Sequence, residues 1–171
     1  MVRDAFIARG HDAWSCDLLP TEADGPHLQD DALRMAHLFP WDLMIAHPPC
    51  TYLTLSGRRW WSGKEQQQRQ AIEFVRALLD APIPRIALEN PRGILGVHVR
   101  EYDQTIQPWQ FGHGEVKTTD LWLKNLPYLE PTHIVPGRMA RVHRMSRSAH
   151  RSMERSRTLP GVAAAMAEQW G

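Results

Sequence analysis

The sequence has only two cysteines, Cys16 and Cys50, among its 171 residues. Two thiols cannot build a disulfide framework, which excludes the small disulfide-stapled class of secreted proteins and favours a reducing compartment. No apolar run approaches the ~20 residues that cross a bilayer, so no membrane-spanning segment is predicted. The amino terminus carries Arg3 and Asp4 where a secretory signal would have an apolar core, so we expect a cytoplasmic protein.

The chain also lacks a strong net charge, at +1, and it contains no internal repeat and no low-complexity tract. Its 43% hydrophobic and 23% charged residues are ordinary for a globular protein, and its length suits a single domain over residues 1–171. The positive charge is unevenly placed, because seven arginines and one acid, Glu154, lie between residues 138 and 157. Such a segment could bind phosphates, or it could be a solvated surface loop.

Hydrophobic periodicity predicts alternating helices and strands. The clearest helix covers residues 64–80, where apolar residues recur on one side and prolines follow. The other predicted helices are 2–9, 31–38 and 162–169, and the predicted strands are 13–16, 41–46, 85–88 and 121–123. Strands that alternate with helices predict right-handed crossovers, and therefore an α/β fold with a mostly parallel sheet. The segment 127–157 is predicted to be irregular and basic.

Two of the predicted strands end in residues that suit a functional site. One leads into His47-Pro48-Pro49-Cys50, and the next leads into Glu89-Asn90-Pro91. Proline cannot donate to a sheet ladder, so pairing should stop there and the chain should continue as a stiff loop. Ligands of open α/β sheets bind at the carboxyl ends of the strands. Cys50 and Glu89 are therefore predicted to share a site.

A thiol and a carboxylic acid in one cleft suit the chemistry of a pyrimidine ring. The Cys50 thiolate can add to an electron-poor ring carbon, and a protonated Glu89 can donate to a ring nitrogen and stabilise the developing charge. Addition at carbon 6 makes carbon 5 nucleophilic, so carbon 5 can attack an electrophilic methyl group. His47 could be a base, although a hydrogen-bonded structural histidine is the more common case.

These motifs resemble those of the cytosine carbon-5 DNA methyltransferases, and the compact phage and prophage members are the most similar. Pro48-Pro49-Cys50 resembles the nucleophile motif of that family, and Glu89-Asn90 resembles its Glu-Asn motif. The stretches 107–123 and 155–161 are also similar to the compact members. The resemblance therefore covers nearly the whole chain.

The resemblance implies S-adenosyl-L-methionine as the cofactor. Asp17 is similar to the acid that binds the cofactor ribose, and Asp31 to the acid that contacts the adenine, with Asp30 as a competitor for that role. Pro48 is also expected at the cofactor. The implied fold is a Rossmann-like methyltransferase sheet with helices on both faces. The family's first strand and glycine-rich turn are expected to be missing, because Met1 corresponds to the end of that turn.

The resemblance further implies cytosine in DNA as the methyl acceptor, in the cytoplasm of a bacterium or a phage-infected cell. Glu89 and Asn90 would be catalytic together with the thiol. Arg58, Arg59 and Lys117 would contact the DNA phosphates or the target base. That base would have to leave the helix stack to reach the thiol.

Two other functions stay open. A chain without the first strand could be a catalytically silent relative that binds nucleic acid through its arginines, and the thiol could instead modify free pyrimidine nucleotides. A zinc site made by His47, Cys50 and Cys16 is not expected. Leu53 stands where nucleobase deaminases carry their second cysteine, and no His-x-Glu pair precedes it. No metal is therefore expected.

Overall fold

The structure is a computed structural model, and it describes residues 1–141 and 155–171. The helices are α1 (Val2–Ile7), α2 (Ala32–Leu38), α3 (Glu65–Leu79), α4 (Leu95–His98) and α5 (Pro160–Trp170). The strands are β1 (Ser15–Asp17), β2 (His27–Gln29), β3 (Leu43–Ala46), β4 (Arg85–Pro91), β5 (Gln104–Ile106) and β6 (Thr119–Lys124). Two 3-10 helices cover Leu55–Trp60 and Pro108–Gln110.

The strands form two sheets. β1 and β2 pair in parallel, and the larger sheet has the order β3–β4–β6–β5. In the larger sheet β3 is parallel to β4, whereas β6 is antiparallel to both of its neighbours. The expected parallel pairing is therefore present for β3–β4, and β2, which was not predicted, pairs in parallel with β1, but the larger sheet beyond β4 is antiparallel. Residues 107–118 join β5 to β6 without an α-helix, the element that usually forms the crossover between parallel strands.

β4 extends beyond its predicted end at residue 88. β3 pairs with it only as far as Leu88, but β6 continues alongside, with Asn90 opposite Asp120 and Pro91 opposite Thr119. The expectation that Glu89 and Asn90 would lie past the strand was therefore wrong, because both residues are inside β4. Proline is tolerated at the last position of a strand.

Alternate residues of β4 face two different cores, which places helices on both faces of the larger sheet. Ala87 packs with Phe6 of α1 and Trp170 of α5. Leu88 packs on the other face with Val75 of α3 and Leu95 of α4. α2 lies on the same face as α3, through a third apolar cluster that includes Ala36 and Ile86. The helices on both faces that the resemblance implied are thus present.

α3 follows directly from its sequence. Ile72, Val75 and Leu78 are buried and recur at the spacing that puts them on one side of a helix. Pro82 and Pro84 follow its end, and proline cannot continue a helix because it lacks a backbone donor and clashes with the preceding turn. The observed bounds of the predicted elements agree with expectation to within two residues, except at the end of β4.

Two short strands and one short α-helix were not predicted. β2 and β5 have three residues each and α4 has four, which is too short for an apolar pattern to be recognised. β2 forms because β1 offers it a ladder, and β5 forms against β6. Their existence therefore depends on tertiary pairing.

The basic segment is described in part. Residues 127–140 form no helix or strand, as predicted, and residues 142–154, with three of the seven arginines, lie outside the described residues. Single bridges join the segment to the loop before β6, from Phe111 to His133 and from Glu115 to Met139. None of the helices in the described part of the chain is long and apolar enough to cross a bilayer.

Candidate functional site

The carboxyl ends of β3 and β4 lie side by side. Ala46 pairs with Leu88, so the next residues along the two parallel strands, His47 and Glu89, are neighbours. The Nδ1 atom of His47 lies 3.1 Å from the Oε2 atom of Glu89. The two strand ends that were expected to share a site therefore meet in the fold.

The loop after β3 is fastened to β4 and to the residues after it. The side-chain amide of Asn90 donates to the carbonyl oxygen of Pro48 at 3.0 Å. Further along, the N–H of Ile94 donates to the carbonyl oxygen of Leu53 at 2.9 Å. Gly93 permits this second contact, because a Cβ atom there would lie 1.9 Å from the Leu53 oxygen. The loop is thus anchored at both of its ends.

Cys50 lies between these two anchors. Its carbonyl oxygen accepts the N–H groups of Leu53 and Thr54, both at 3.0 Å, so a tight turn follows the cysteine directly. The thiol is half-buried. The Glu89 carboxylate contacts the side chains of His47 and Thr158. The thiol is therefore carried by an anchored loop, and the carboxyl group by the strand that anchors it.

Glu89 is a buried carboxylate that is held through one oxygen. Its side chain is 9% exposed, and Oε2 contacts Nδ1 of His47 at 3.1 Å and the hydroxyl of Thr158 at 3.5 Å. Burial is the strongest influence and opposes ionisation. The hydrogen bond and charge of His47, the charge of Lys117 and the Thr158 hydroxyl nevertheless hold the pKa of Glu89 below its usual value. Near neutral pH, Glu89 is therefore an ionised acceptor.

A small cavity borders Glu89 beneath α5. Lys117, Thr158 and Val162 are among the residues that line it. Its volume of about 20 Å³ has room for one water molecule and not for a pyrimidine ring. A ring that contacts Glu89 must therefore lie outside this cavity.

The candidate cofactor acids lie at the carboxyl end of the β1–β2 pair. Asp17 is exposed at the end of β1, and its Oδ1 atom accepts the N–H of Leu19 at 2.9 Å. Asp31 is the N-cap of α2, and its Oδ1 atom accepts the N–H of Arg34 at 2.9 Å. The N–H of Asp30 donates to the carbonyl oxygen of Asp17 at 3.1 Å, which brings the acids to the same end of the sheet.

Asp30 and Asp31, the two candidates for the adenine contact, differ in how many of their carboxylate oxygens are already engaged. Both oxygens of Asp30 are engaged locally, since Oδ1 accepts the N–H of Asp31 at 2.7 Å and Oδ2 pairs with Arg34 at 2.6 Å. Asp31 uses Oδ1 to cap α2. Asp31 is therefore the better placed of the two to offer an oxygen to a ligand.

The three candidate substrate-binding cations have different surroundings. Arg58 and Arg59 are exposed on the 3-10 helix that follows the Cys50 loop. Lys117 is half-buried before β6, where its ammonium group donates to the carbonyl oxygen of Arg157 at 3.4 Å and its charge acts on Glu89. Lys117 therefore belongs to the surroundings of the carboxylate, and the arginines to the surface beside the thiol loop.

Two residues contact Glu89 that were not assigned to the site from the sequence. The sequence favours a structural role for His47, although His47 and Glu89 each follow directly on a predicted apolar strand, and that shared position was a signal that the two side chains could meet. Thr158 gave no such signal. It is 69 residues from Glu89 in sequence and reaches it only because α5 packs on the sheet.

The second thiol, Cys16, is separate from this site. It lies in β1, in the other sheet, and its S–H donates to the carbonyl oxygen of Asp30 at 3.4 Å. Burial raises the pKa of the Cys16 thiol. Within residues 1–141 and 155–171, no group of three or more His, Cys, Asp or Glu side chains is arranged to hold a metal ion.

No protein-family model matches the chain, and no curated protein matches it. One solved structure that is similar belongs to a protein of E. coli, encoded within a prophage and described as a candidate DNA modification methyltransferase. The similarity has a TM-score of 0.50 with 17% identity and covers 79% of this chain. The chain spans about half of that protein, 49% of its length. At this level of identity the likeness shows a shared α/β fold.

Proposed function

We propose that the protein transfers a methyl group from S-adenosyl-L-methionine to carbon 5 of cytosine in DNA, with Cys50 as the nucleophile. The observation that carries this proposal is the fastening of the Cys50 loop, at one end to the strand of Glu89 through Asn90 and at the other end to the residues after that strand through Ile94. Attack and protonation on one flat ring need a thiol and an acid that are held in a constant relation. The fold shared with the prophage-encoded protein supports the same conclusion.

The chemistry assigns a separate task to each side chain. The Cys50 thiolate forms a bond to carbon 6, and Glu89 in its acid form gives a proton to N3, so electron density moves to carbon 5. The bound cofactor supplies the electrophilic methyl group for carbon 5. Loss of the carbon-5 proton to a base then expels the Cys50 thiolate, and N3 returns its proton to Glu89. The ring is aromatic again, and both side chains are regenerated.

Asp17 and Asp31 fit the nucleoside part of the cofactor by their chemistry. Each carboxylate uses Oδ1 for a nearby backbone N–H and has Oδ2 besides. A carboxylate oxygen is the acceptor that a ribose hydroxyl or an adenine amine requires. The carbonyl of Pro48 is already engaged by Asn90, so Pro48 would contribute apolar contact.

DNA as the acceptor requires the target base to leave the stack, because a thiol in a loop cannot reach carbon 6 inside a duplex. Arg58 and Arg59 are exposed next to the Cys50 loop and suit contacts to the phosphates on either side of an extruded base. Lys117 lies beside Glu89 and suits the base itself or the nearest phosphate.

The proposal is tested with duplex DNA and a cofactor that carries a labelled methyl group. We expect the wild-type protein to label the DNA, and Cys50→Ala to lower the rate by a factor on the order of 10³ or more, as expected for loss of a covalent nucleophile. Cys16→Ala is the matched control and should keep the activity. DNA in which the target cytosine carries fluorine at carbon 5 should trap a covalent complex with the wild-type protein, because fluorine cannot leave as a proton does.

Three results would contradict the proposal. Labelling of DNA by the Cys50→Ala protein would show that the thiol is not the nucleophile. Labelling of free cytidine nucleotides without labelling of DNA would show that the methyl acceptor is a free nucleotide. Absence of binding heat at micromolar S-adenosyl-L-methionine, together with binding of DNA, would favour a catalytically silent nucleic-acid-binding protein.

A further inference from the structure

We propose that His47 is a positioning residue that acts through Glu89. His47 engages Oε2 of the carboxyl group, so that Oε1 is the atom that exchanges a proton with the ring of the base, and the two side chains share one mobile proton. This inference rests on the proposed function, because it needs a pyrimidine ring beside Glu89. It adds a residue that the reaction as described above does not use.

The backbone determines where the His47 ring lies. Pro48 follows it, and a residue before proline is restricted to extended conformations, so the alternation of β3 continues for one more residue. Ile45 and His47 therefore share a face. On β4 the residues of that face are Ala87, which pairs with Ile45, and Glu89. The contact between His47 and Glu89 is thus the next rung of the same ladder and does not depend on a flexible loop.

Both polar contacts that the described residues make with the Glu89 carboxylate go to the same oxygen. Nδ1 of His47 and the hydroxyl of Thr158 contact Oε2, at 3.1 Å and 3.5 Å. When Glu89 takes up a proton, that proton belongs on Oε1, because Oε2 already accepts the Nδ1–H of His47. Without His47 the carboxyl group could turn and exchange its two oxygens.

The charged groups that face the pair come from different segments. His47 follows β3, and Lys117 precedes β6 and donates to a backbone carbonyl before α5. Asp120 lies on the opposite face of the β4–β6 pair, where it forms an ion pair with Arg92. Among the described residues, His47 and Lys117 are the cations whose charge acts on Glu89. Before a base binds, these cations favour the ionised carboxylate.

The two partners differ in their access to water. The His47 side chain is 36% exposed, whereas that of Glu89 is 9% exposed. A pyrimidine base of the DNA that covers His47 removes water from the His47–Glu89 pair. Without water, a charged imidazolium beside a charged carboxylate is disfavoured relative to two neutral side chains. One proton then leaves Nε2 of the imidazolium and one proton binds Oε1 of Glu89, so the pair keeps the same total. Glu89 becomes the acid that can donate to N3, and His47 becomes neutral with its Nδ1–H still on Oε2.

The test compares pH profiles of kcat and KM for DNA methylation in the wild-type protein, His47→Gln and His47→Ala. Glutamine can donate to Oε2 but cannot titrate. We expect the basic limb of kcat to move to lower pH in His47→Gln, with a more than about tenfold loss of kcat at pH 8, a rate near wild type at pH 5.5 and little change in KM. His47→Ala should lose activity at every pH. His37→Gln, an exposed histidine of α2, is the control and should keep the wild-type profile.

The outcomes separate this inference from the proposed function. The wild-type protein could methylate DNA while the kcat profile of His47→Gln is unshifted, or is lowered equally at all pH values. That result would overturn the role of His47 and leave the proposed function standing. A wild-type protein that methylates no DNA would overturn both.

A second measurement tests the pair itself and needs no activity. In NMR titration of the folded protein, His47→Gln should move the titration of the Glu89 carboxyl group to higher pH, because the charge of His47 helps to hold the pKa of this group below its usual value. Coincident titrations of the two proteins would show that no proton is shared and would overturn the inference.

Discussion

The side-chain amide of Asn90 donates to the carbonyl oxygen of Pro48 at 3.0 Å, between residues that are 42 positions apart in the sequence. Asn90 is 1% exposed, and its Oδ1 atom has no hydrogen-bond partner among the described residues. Buried polar groups in proteins are nearly always paired, so this side chain is held at a cost in free energy. The Asn90 side chain fixes the start of the loop that carries Cys50.

Replacement of Asn90 by alanine should destabilise the protein and loosen this loop. The Pro48 carbonyl would lose its donor and a buried space would open, for a loss of about 1–3 kcal/mol in the free energy of unfolding. Urea denaturation measures the loss. Gln169→Ala is the control, because it removes amide-to-backbone contacts of the same kind that are exposed, and it should cost less than about 1 kcal/mol. Equal losses in the two variants would contradict the importance of the buried bond.

Gly93 should not tolerate a side chain. A Cβ atom at Gly93 would lie 1.9 Å from the carbonyl oxygen of Leu53, which is backbone and can move only with the loop. We expect Gly93→Ala to lower the free energy of unfolding by about 1–3 kcal/mol and to reduce DNA methylation. Gly96→Ala is the matched control, since a Cβ atom there meets nothing within 4 Å. Thermal denaturation and the methylation assay are applied to both variants. Equal stability and equal activity of Gly93→Ala and Gly96→Ala would contradict the importance of the close contact at Gly93.

The stability of the protein should depend on the ionisation of Glu89. The folded state lowers the pKa of this carboxyl group, so the folded protein binds the proton less tightly than the unfolded chain does. Its ionised form therefore contributes stability that is complete above the ordinary value of 4.5 and is lost as the pH falls through the lower pKa of the folded state.

Urea denaturation at pH 7 and pH 3.5 tests this dependence. The decline in the free energy of unfolding should be larger for the wild-type protein than for Glu89→Gln, which has no carboxylate to protonate at this position. Glu101→Gln, at an exposed position, should decline in parallel with the wild type. A parallel decline for Glu89→Gln would contradict the lowered pKa.

Local patterns in the sequence were sufficient for most of the secondary structure. The apolar stripe of α3, the prolines after it and the short apolar run of β3 each depend on residues close together in the chain, and the structure has these elements near their expected bounds. The end of β4 could not be placed in this way. It is set by pairing with β6, whose Thr119 lies opposite Pro91, and no local rule indicates that partner.

By itself the sequence determined that one strand would lead into the prolines before Cys50 and that another would form just before Glu89, because short apolar runs followed by proline favour strands locally. Only the tertiary structure decided that β3 and β4 pair in register at Ala46 and Leu88, which makes His47 the neighbour of Glu89. It also decided the charge of that carboxyl group. Burial, a histidine from the adjacent strand and a lysine from a distant segment act on it together, and such effects depend on distances in space that the order of residues does not contain.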